Sequence, residues 1–131
     1  MHMTVELQVL VFAALWGLVQ ILIAALAPAA APGYFKWNAS PRDKDFDFGP
    51  VAGRMRRAYQ NFNETFAFFA VIVIALAFAG KSDDLSRLGA HVYLLARLVY
   101  FPAYALGTKL RSAFYILSLA GIGMCVWTLL T

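Results

Sequence analysis

Hydrophobic and polar positions fall in long blocks along this chain. Leu7 to Ala31 runs 25 residues without a charge, and Ser112 to Thr131 runs 20. At about 1.5 Å per residue, either block is long enough to cross the roughly 30 Å hydrocarbon core of a bilayer. Phe62 to Gly80 and Leu88 to Leu106 have similar reach but carry polar passengers, Asn63 and Glu64 in the first, His91 and Arg97 in the second. The pattern predicts an all-α transmembrane four-helix bundle, with helices over about 4–31, 53–80, 84–107 and 110–130 of a single integral-membrane domain, residues 1–131.

The connections differ in kind. Pro28 and Pro32 bracket the end of the first helix. The segment YFKWNASPRDKDFDFGPVAG is too polar to cross a bilayer and too aromatic for a plain solvated linker, which places it at headgroup level. The turn GKSDD is short, and Ser82 or Asp83 is positioned to cap the helix that follows. The first block is longer than a signal-peptide core and is preceded by Glu6 with no Lys or Arg, so it reads as a retained helix.

Composition agrees: 62% hydrophobic and 14% charged residues exclude an ordinary soluble domain. The net charge of +4 is unevenly spread. Lys36, Arg42, Lys44, Arg54, Arg56 and Arg57 lie between the first two spans, and Lys109 and Arg111 between the last two, whereas Lys81 and Arg87 are offset by Asp83 and Asp84. The positive-inside rule then puts the first and third connections in the cytoplasm and both termini outside. Arginines at helix ends are no nucleic-acid stripe, and no such partner is expected. Cys125 is the only cysteine, which excludes an intrachain disulfide, suggests no metal site and leaves the thiol as lipid-facing or packed filler.

Residues three, four and seven apart share a helix face. Arg54, Arg57, Asn61 and Glu64 follow that spacing, so they predict a polar stripe running from the basic surface into the bilayer; Phe62, Phe66, Phe69 and Val73 form another face. A second stripe joins Arg97, Tyr100 and Tyr104, with Arg111 seven residues on. Glu64 paired with Arg97 or Arg57 would make buried charge tolerable and no more. The whole constellation exceeds that need. Arginines suit carboxylates, a glutamate suits an ammonium, and tyrosines and asparagine suit amides, which is the inventory of a tripeptide such as glutathione.

RRAYQNFNETFAFF resembles the second-helix signature of the MAPEG superfamily, membrane-associated proteins in eicosanoid and glutathione metabolism, and ARLVYFPAYALGTKLRSAFY resembles that family's third-to-fourth helix segment. The resemblance covers most of residues 34 to 118. It implies a homotrimer in contact with membrane lipids, with glutathione as co-substrate bound near the cytoplasmic side at subunit boundaries. Arg54, Arg57, Asn61, Glu64, Arg97, Tyr100 and Tyr104 would hold the peptide, Glu64 taking the γ-glutamyl amine. Arg111 matches the catalytic arginine of the branch resembling leukotriene synthase and microsomal glutathione transferase, where it favours the thiolate. The phrasing, including KWNASPRD, is most similar to bacterial members, which implies a bacterial inner membrane with periplasmic termini. The chain departs from the pattern at Gln60, where the prostaglandin-synthase branch has arginine. It departs again at Tyr34 and Phe35, where some members carry a basic residue and here only the adjacent Lys36 does.

The resemblance implies a glutathione-dependent membrane transferase or peroxidase acting on lipophilic electrophiles. The alternative is a non-catalytic lipid-binding or scaffold protein, and against it stands the retained polar stripe with Arg111. A small multidrug exporter fits the length, but such exporters use a carboxylate within helix one, and Glu6 lies at that helix's outer edge. Trp16 and Trp127 are expected as packing or interface residues, His91 as a hydrogen-bonded surface group, Met55 and Met124 as gap fillers, and Gly17, Gly107, Gly121 and Gly123 as points of close helix approach.

Overall fold

The computed structural model describes residues 3–131, so residues 1 and 2 of the expected domain lie outside the described residues. Helix α1 (Val5–Leu26) starts at Thr4, whose side chain accepts the amide of Leu7, and tightens into a 3-10 turn at Ala27–Ala30 where Pro28 removes a backbone donor. A short helix α2 (Tyr34–Ala39) follows, then α3 (Pro50–Phe78), α4 (Asp84–Ala105) and α5 (Leu110–Leu130).

The four long helices are those the hydrophobic blocks predict, with corrected ends. α3 begins three residues before the expected 53, because Pro50 opens the helix: its fixed φ and missing N–H suit the first turn. α4 stops at Ala105, short of the expected 107, since Gly107 takes a positive φ of 74° and turns the chain toward α5. Helix α2 lies inside the segment read from sequence as a connection. Its first residue, Tyr34, is buried and donates its hydroxyl to the carbonyl of Ala25 at 3.2 Å.

Three segments are long and apolar enough to cross a membrane, Val5–Ala30, Pro50–Phe78 and Leu110–Leu130. The expectation of four is met only in part. α4 has 22 residues, but Asp84, Arg87, His91 and Arg97 dilute its apolar character. It packs against α1, α3 and α5, which cover Arg97, while Asp84, Arg87 and His91 stay exposed toward the end that holds the α3–α4 turn. The α4–α5 pair approaches backbone to backbone: a Cβ built on Gly89 would lie 2.6 Å from the Gly121 carbonyl oxygen. Gly17 likewise makes room, here for the Phe62 ring, whereas Gly123 faces open space and Gly107 serves a turn, so neither is a point of helix approach.

Phe69, Val73, Leu76, Tyr93, Val9, Ala13 and Cys125 form the main core, with Phe69 and Tyr93 stacked at 4.1 Å between centroids. Cys125 is therefore packed filler. Phe12, Leu22, Phe68, Phe78 and Ile116 point outward, as a bilayer-facing surface requires. At the end of the bundle that holds the α3–α4 turn, Asp83 caps α4 in a reciprocal box with Ser86 and accepts the Thr128 hydroxyl at 2.8 Å. Glu6 lies there too, at the edge of α1 as expected, but it is buried and accepts the hydroxyls of Ser82 and Ser86. His91 is exposed and bonded to the Arg87 carbonyl at 2.8 Å, the surface role expected of it.

Candidate functional site

The two polar stripes meet at the arginine-rich end of the bundle. α3 contributes Arg54 and Asn61, α4 contributes Arg97, Tyr100 and Tyr104, and the start of α5 contributes Arg111. Arg97 is 1% exposed. Its Nη2 donates to Asn61 Oδ1 at 2.8 Å, and its guanidinium lies 4.2 Å from the Tyr100 ring centroid and 5.8 Å from that of Phe62. Its Nε and Nη1 are buried without a partner among the described residues.

Nearer the surface, Arg54 donates to the Ala105 carbonyl at 3.0 Å, and its guanidinium packs beside Gly107, where a side chain would crowd it. Arg57 Nε donates to the Tyr104 hydroxyl at 3.3 Å, and Arg111 stacks over the Tyr104 ring at 4.5 Å. Two cavities share Arg111. One, of about 220 Å³, is lined by Asn61, Tyr100, Arg111, Ser112, Tyr115 and Ile116; the other, of about 380 Å³, by Arg54, Arg57, Tyr104, Gly107 and Arg111. Three arginines thus line the joined cavities, and Arg97 lies buried behind Asn61 and Tyr100, which line the first. The one side-chain ion pair among the described residues, Arg87 with Asp84, involves none of them.

Glu64 stands at the edge of this cluster. It is exposed, lines neither cavity and makes no direct ion pair with Arg97 or Arg57, although its charge lies near enough to act on Arg97 through space. Helix geometry explains the split. At roughly 100° per residue, Arg54 and Asn61 project about 20° apart, as do Arg57 and Glu64, but the two pairs are offset by about 60°. The first pair faces α4 directly, and the second lies toward the outside, where Arg57 is exposed but its long side chain still reaches back to Tyr104.

Tyr115 and Ser112 are cavity residues that sequence reasoning missed. Their signal was present, since Tyr115 follows Arg111 by four positions on α5, but both sit in a charge-free block that reads as a plain membrane span. Trp16, expected to pack, also donates its indole N–H to the Arg97 carbonyl at 3.2 Å, which ties α1 to the helix carrying the buried cation. No cluster of metal-ligating side chains occurs among the described residues.

The cleft is a basic, tyrosine-lined space within a membrane bundle, suited to a small anion with amide groups. Comparison with curated proteins finds no match. A family model described as MAPEG family matches residues 7–131, nearly the whole chain and both polar stripes. The chain therefore belongs to the MAPEG family.

Proposed function

We propose that the protein is a glutathione-dependent membrane transferase or peroxidase acting on lipophilic electrophiles. One observation carries the reading: three arginines line the cleft and, among the described residues, none forms an ion pair with a carboxylate, while behind its Asn61 and Tyr100 wall Arg97 is a buried guanidinium with two unpartnered nitrogens. A buried, uncompensated cation costs several kcal/mol, so such a site is built for an anion that arrives. Glutathione supplies two carboxylates, amides and an ionisable thiol.

In this reading Arg54, Arg57, Asn61 and Arg97 hold carboxylate and amide groups, and Tyr100 and Tyr104 complete the wall. Arg111 lies where the two cavities meet. Its charge favours the thiolate over the thiol, and the thiol proton leaves through the open arginine-rich mouth. The sulfur lone pair then forms the C–S bond as the electrophile's leaving group departs with the electrons of the broken bond.

Glu64 belongs to this reading through assembly. It stands at the midpoint of α3, exposed on a single chain, and an exposed carboxylate at bilayer depth demands cover. A homotrimer would cover it and enclose the ligand between copies, leaving Glu64 to take the γ-glutamyl amine. The arginine-rich end would face the cytoplasm of a bacterial cell, with both termini periplasmic.

The test is initial conjugation rate against pH for wild type, Arg111→Ala and Arg57→Ala, with glutathione binding measured separately by calorimetry. Arg111→Ala should slow turnover far more than it weakens binding, and base should partly restore it. Arg57→Ala should lose affinity first, without that rescue. No wild-type turnover above the solution reaction, or full activity of Arg111→Ala at every pH, sinks the catalytic assignment and leaves the lipid-binding scaffold.

A further inference from the structure

On the opposite flank of α3 a second basic cavity opens, of about 400 Å³, lined among others by Ile21, Ala24, Tyr34, Arg42, Arg56 and Tyr59. It shares no residue with the cleft. Its outer wall is the segment after α1, which folds into an aromatic cluster: Trp37 meets Phe46 at 5.4 Å and Phe48 at 5.3 Å, and Tyr34 meets Phe46 at 5.7 Å. Both arginines lean on that cluster. The Arg42 and Arg56 guanidiniums lie 5.7 Å and 5.9 Å from the same Trp37 centroid, and Arg56 is also 4.7 Å from that of Phe48.

Neither cation is neutralised. Asp43, Asp45 and Asp47 lie close by in sequence, yet among the described residues none forms an ion pair with Arg42 or Arg56. Arg42 is held with unusual firmness: its φ is 62°, a left-handed backbone that non-glycine residues seldom adopt, and its Nε donates to the Asn38 carbonyl at 3.1 Å. Such strain persists where surrounding contacts over-determine the backbone, often at a binding site. With Nε engaged, neither terminal nitrogen of Arg42 has a hydrogen-bond partner among the described residues. Both arginines line the same cavity, which gives it two cationic donors for an oxyanion. The cavity has a second chemistry, since Ile21 and Ala24 continue its wall along an apolar, membrane-spanning helix.

We propose that Arg42 and Arg56 grip the phosphate of an anionic phospholipid, with the acyl chains lying along α1. An aromatic cluster beside arginines marks the headgroup layer of a bilayer, and a cavity polar at its mouth and apolar along one wall matches an amphiphile. The proposal is independent of what the cleft binds.

Native mass spectrometry of the purified protein, with phosphatidylglycerol and phosphatidylcholine of equal chain length, tests it. Retention should favour phosphatidylglycerol by about tenfold, and Arg42→Gly with Arg56→Gln should abolish that preference, as loss of charged hydrogen bonds predicts. Glycine at position 42 accepts the positive φ, so the first change removes the cation and leaves the backbone unstrained. Arg87→Gln, at the other end of the bundle, should retain lipid as wild type does. Equal retention of the two lipids by wild type overturns the proposal, whatever the variants do. Displacement of phosphatidylglycerol by millimolar inorganic phosphate also overturns it, reducing the site to a free-anion site. So does loss of glutathione binding in Arg56→Gln with phosphatidylglycerol retention unchanged, which would hand these arginines to the thiol peptide.

Discussion

Replacing Arg97 with methionine should separate ligand binding from stability. The substitution keeps an unbranched apolar stem in a site that is 1% exposed and removes the guanidinium. Three favourable contacts disappear: the bond to Asn61 at 2.8 Å and the ring contacts with Tyr100 and Phe62. A charged hydrogen bond contributes about 1.5–3 kcal/mol and each desolvated cation–π contact about 2, so the loss is about 5.5–7 kcal/mol, plus about 1 for leaving Asn61 unpaired. Against it stands relief of a buried cation, which costs several kcal/mol, and of the two nitrogens without partners, at about 1–3 kcal/mol each. The terms nearly cancel. Ligand-free stability should therefore change by less than about 2 kcal/mol, or a few degrees in melting temperature. Glutathione binding, if it satisfies both orphan nitrogens, should weaken by about 3–6 kcal/mol, at least about a hundredfold. The assay is thermal melting in detergent with and without glutathione, alongside calorimetric titration. A variant that melts far below wild type without ligand, yet binds glutathione as tightly, would refute the reasoning and make Arg97 a structural cation.

Glu64→Gln should leave the melting of isolated chains almost unchanged, because Glu64 is exposed and unpaired in one subunit, but weaken glutathione binding by about 1.5–3 kcal/mol; native mass spectrometry should still show three chains, and a lost trimer with intact affinity would contradict this. Gly89→Ala should destabilise the α4–α5 pair by about 1–3 kcal/mol, since its Cβ would meet the Gly121 carbonyl at 2.6 Å; an unchanged unfolding midpoint argues against that contact. Asp83 titrates below the ordinary carboxylate value of 3.8, held there first by the Ser86 amide and then by the Thr128 hydroxyl. A depressed folded pKa means stability that is present above the unfolded value and lost as pH falls through the folded one. The wild-type melting temperature should drop below about pH 4, and Asp83→Asn should flatten that drop; identical acid profiles would remove Asp83 as a cause.

The sequence alone determined the elements that depend on local pattern. Charge-free blocks define α1 and α5, because a bilayer accepts little else. A cap at Ser82 or Asp83 was legible, and the three-and-four spacing put Arg54, Arg57, Asn61 and Glu64 on one stripe and Arg97, Tyr100 and Tyr104 on another, of which Arg54, Arg57, Asn61, Tyr100 and Tyr104 line the cavities. Helix α2 was not legible: six residues that mix aromatics with charge have no period to read. Tertiary structure decided everything that turns on which side of a helix meets which neighbour. A stripe about 80° wide reads as one face in sequence, but packing against α4 divides it, so Asn61 goes in while Glu64 stays out. Arg97 and Glu6 are both single charges near apolar blocks, and only the fold shows each to be buried, one leaning on Tyr100 and the other bonded to two serines. Arg42 and Arg56 lie fourteen residues apart, and the folding of the intervening chain over Trp37 makes them neighbours. The physical reason is common to all of these. Periodicity specifies an angle around one axis, while burial and pairing depend on how several axes are set against each other, and that is fixed by close contacts such as Gly89 against Gly121.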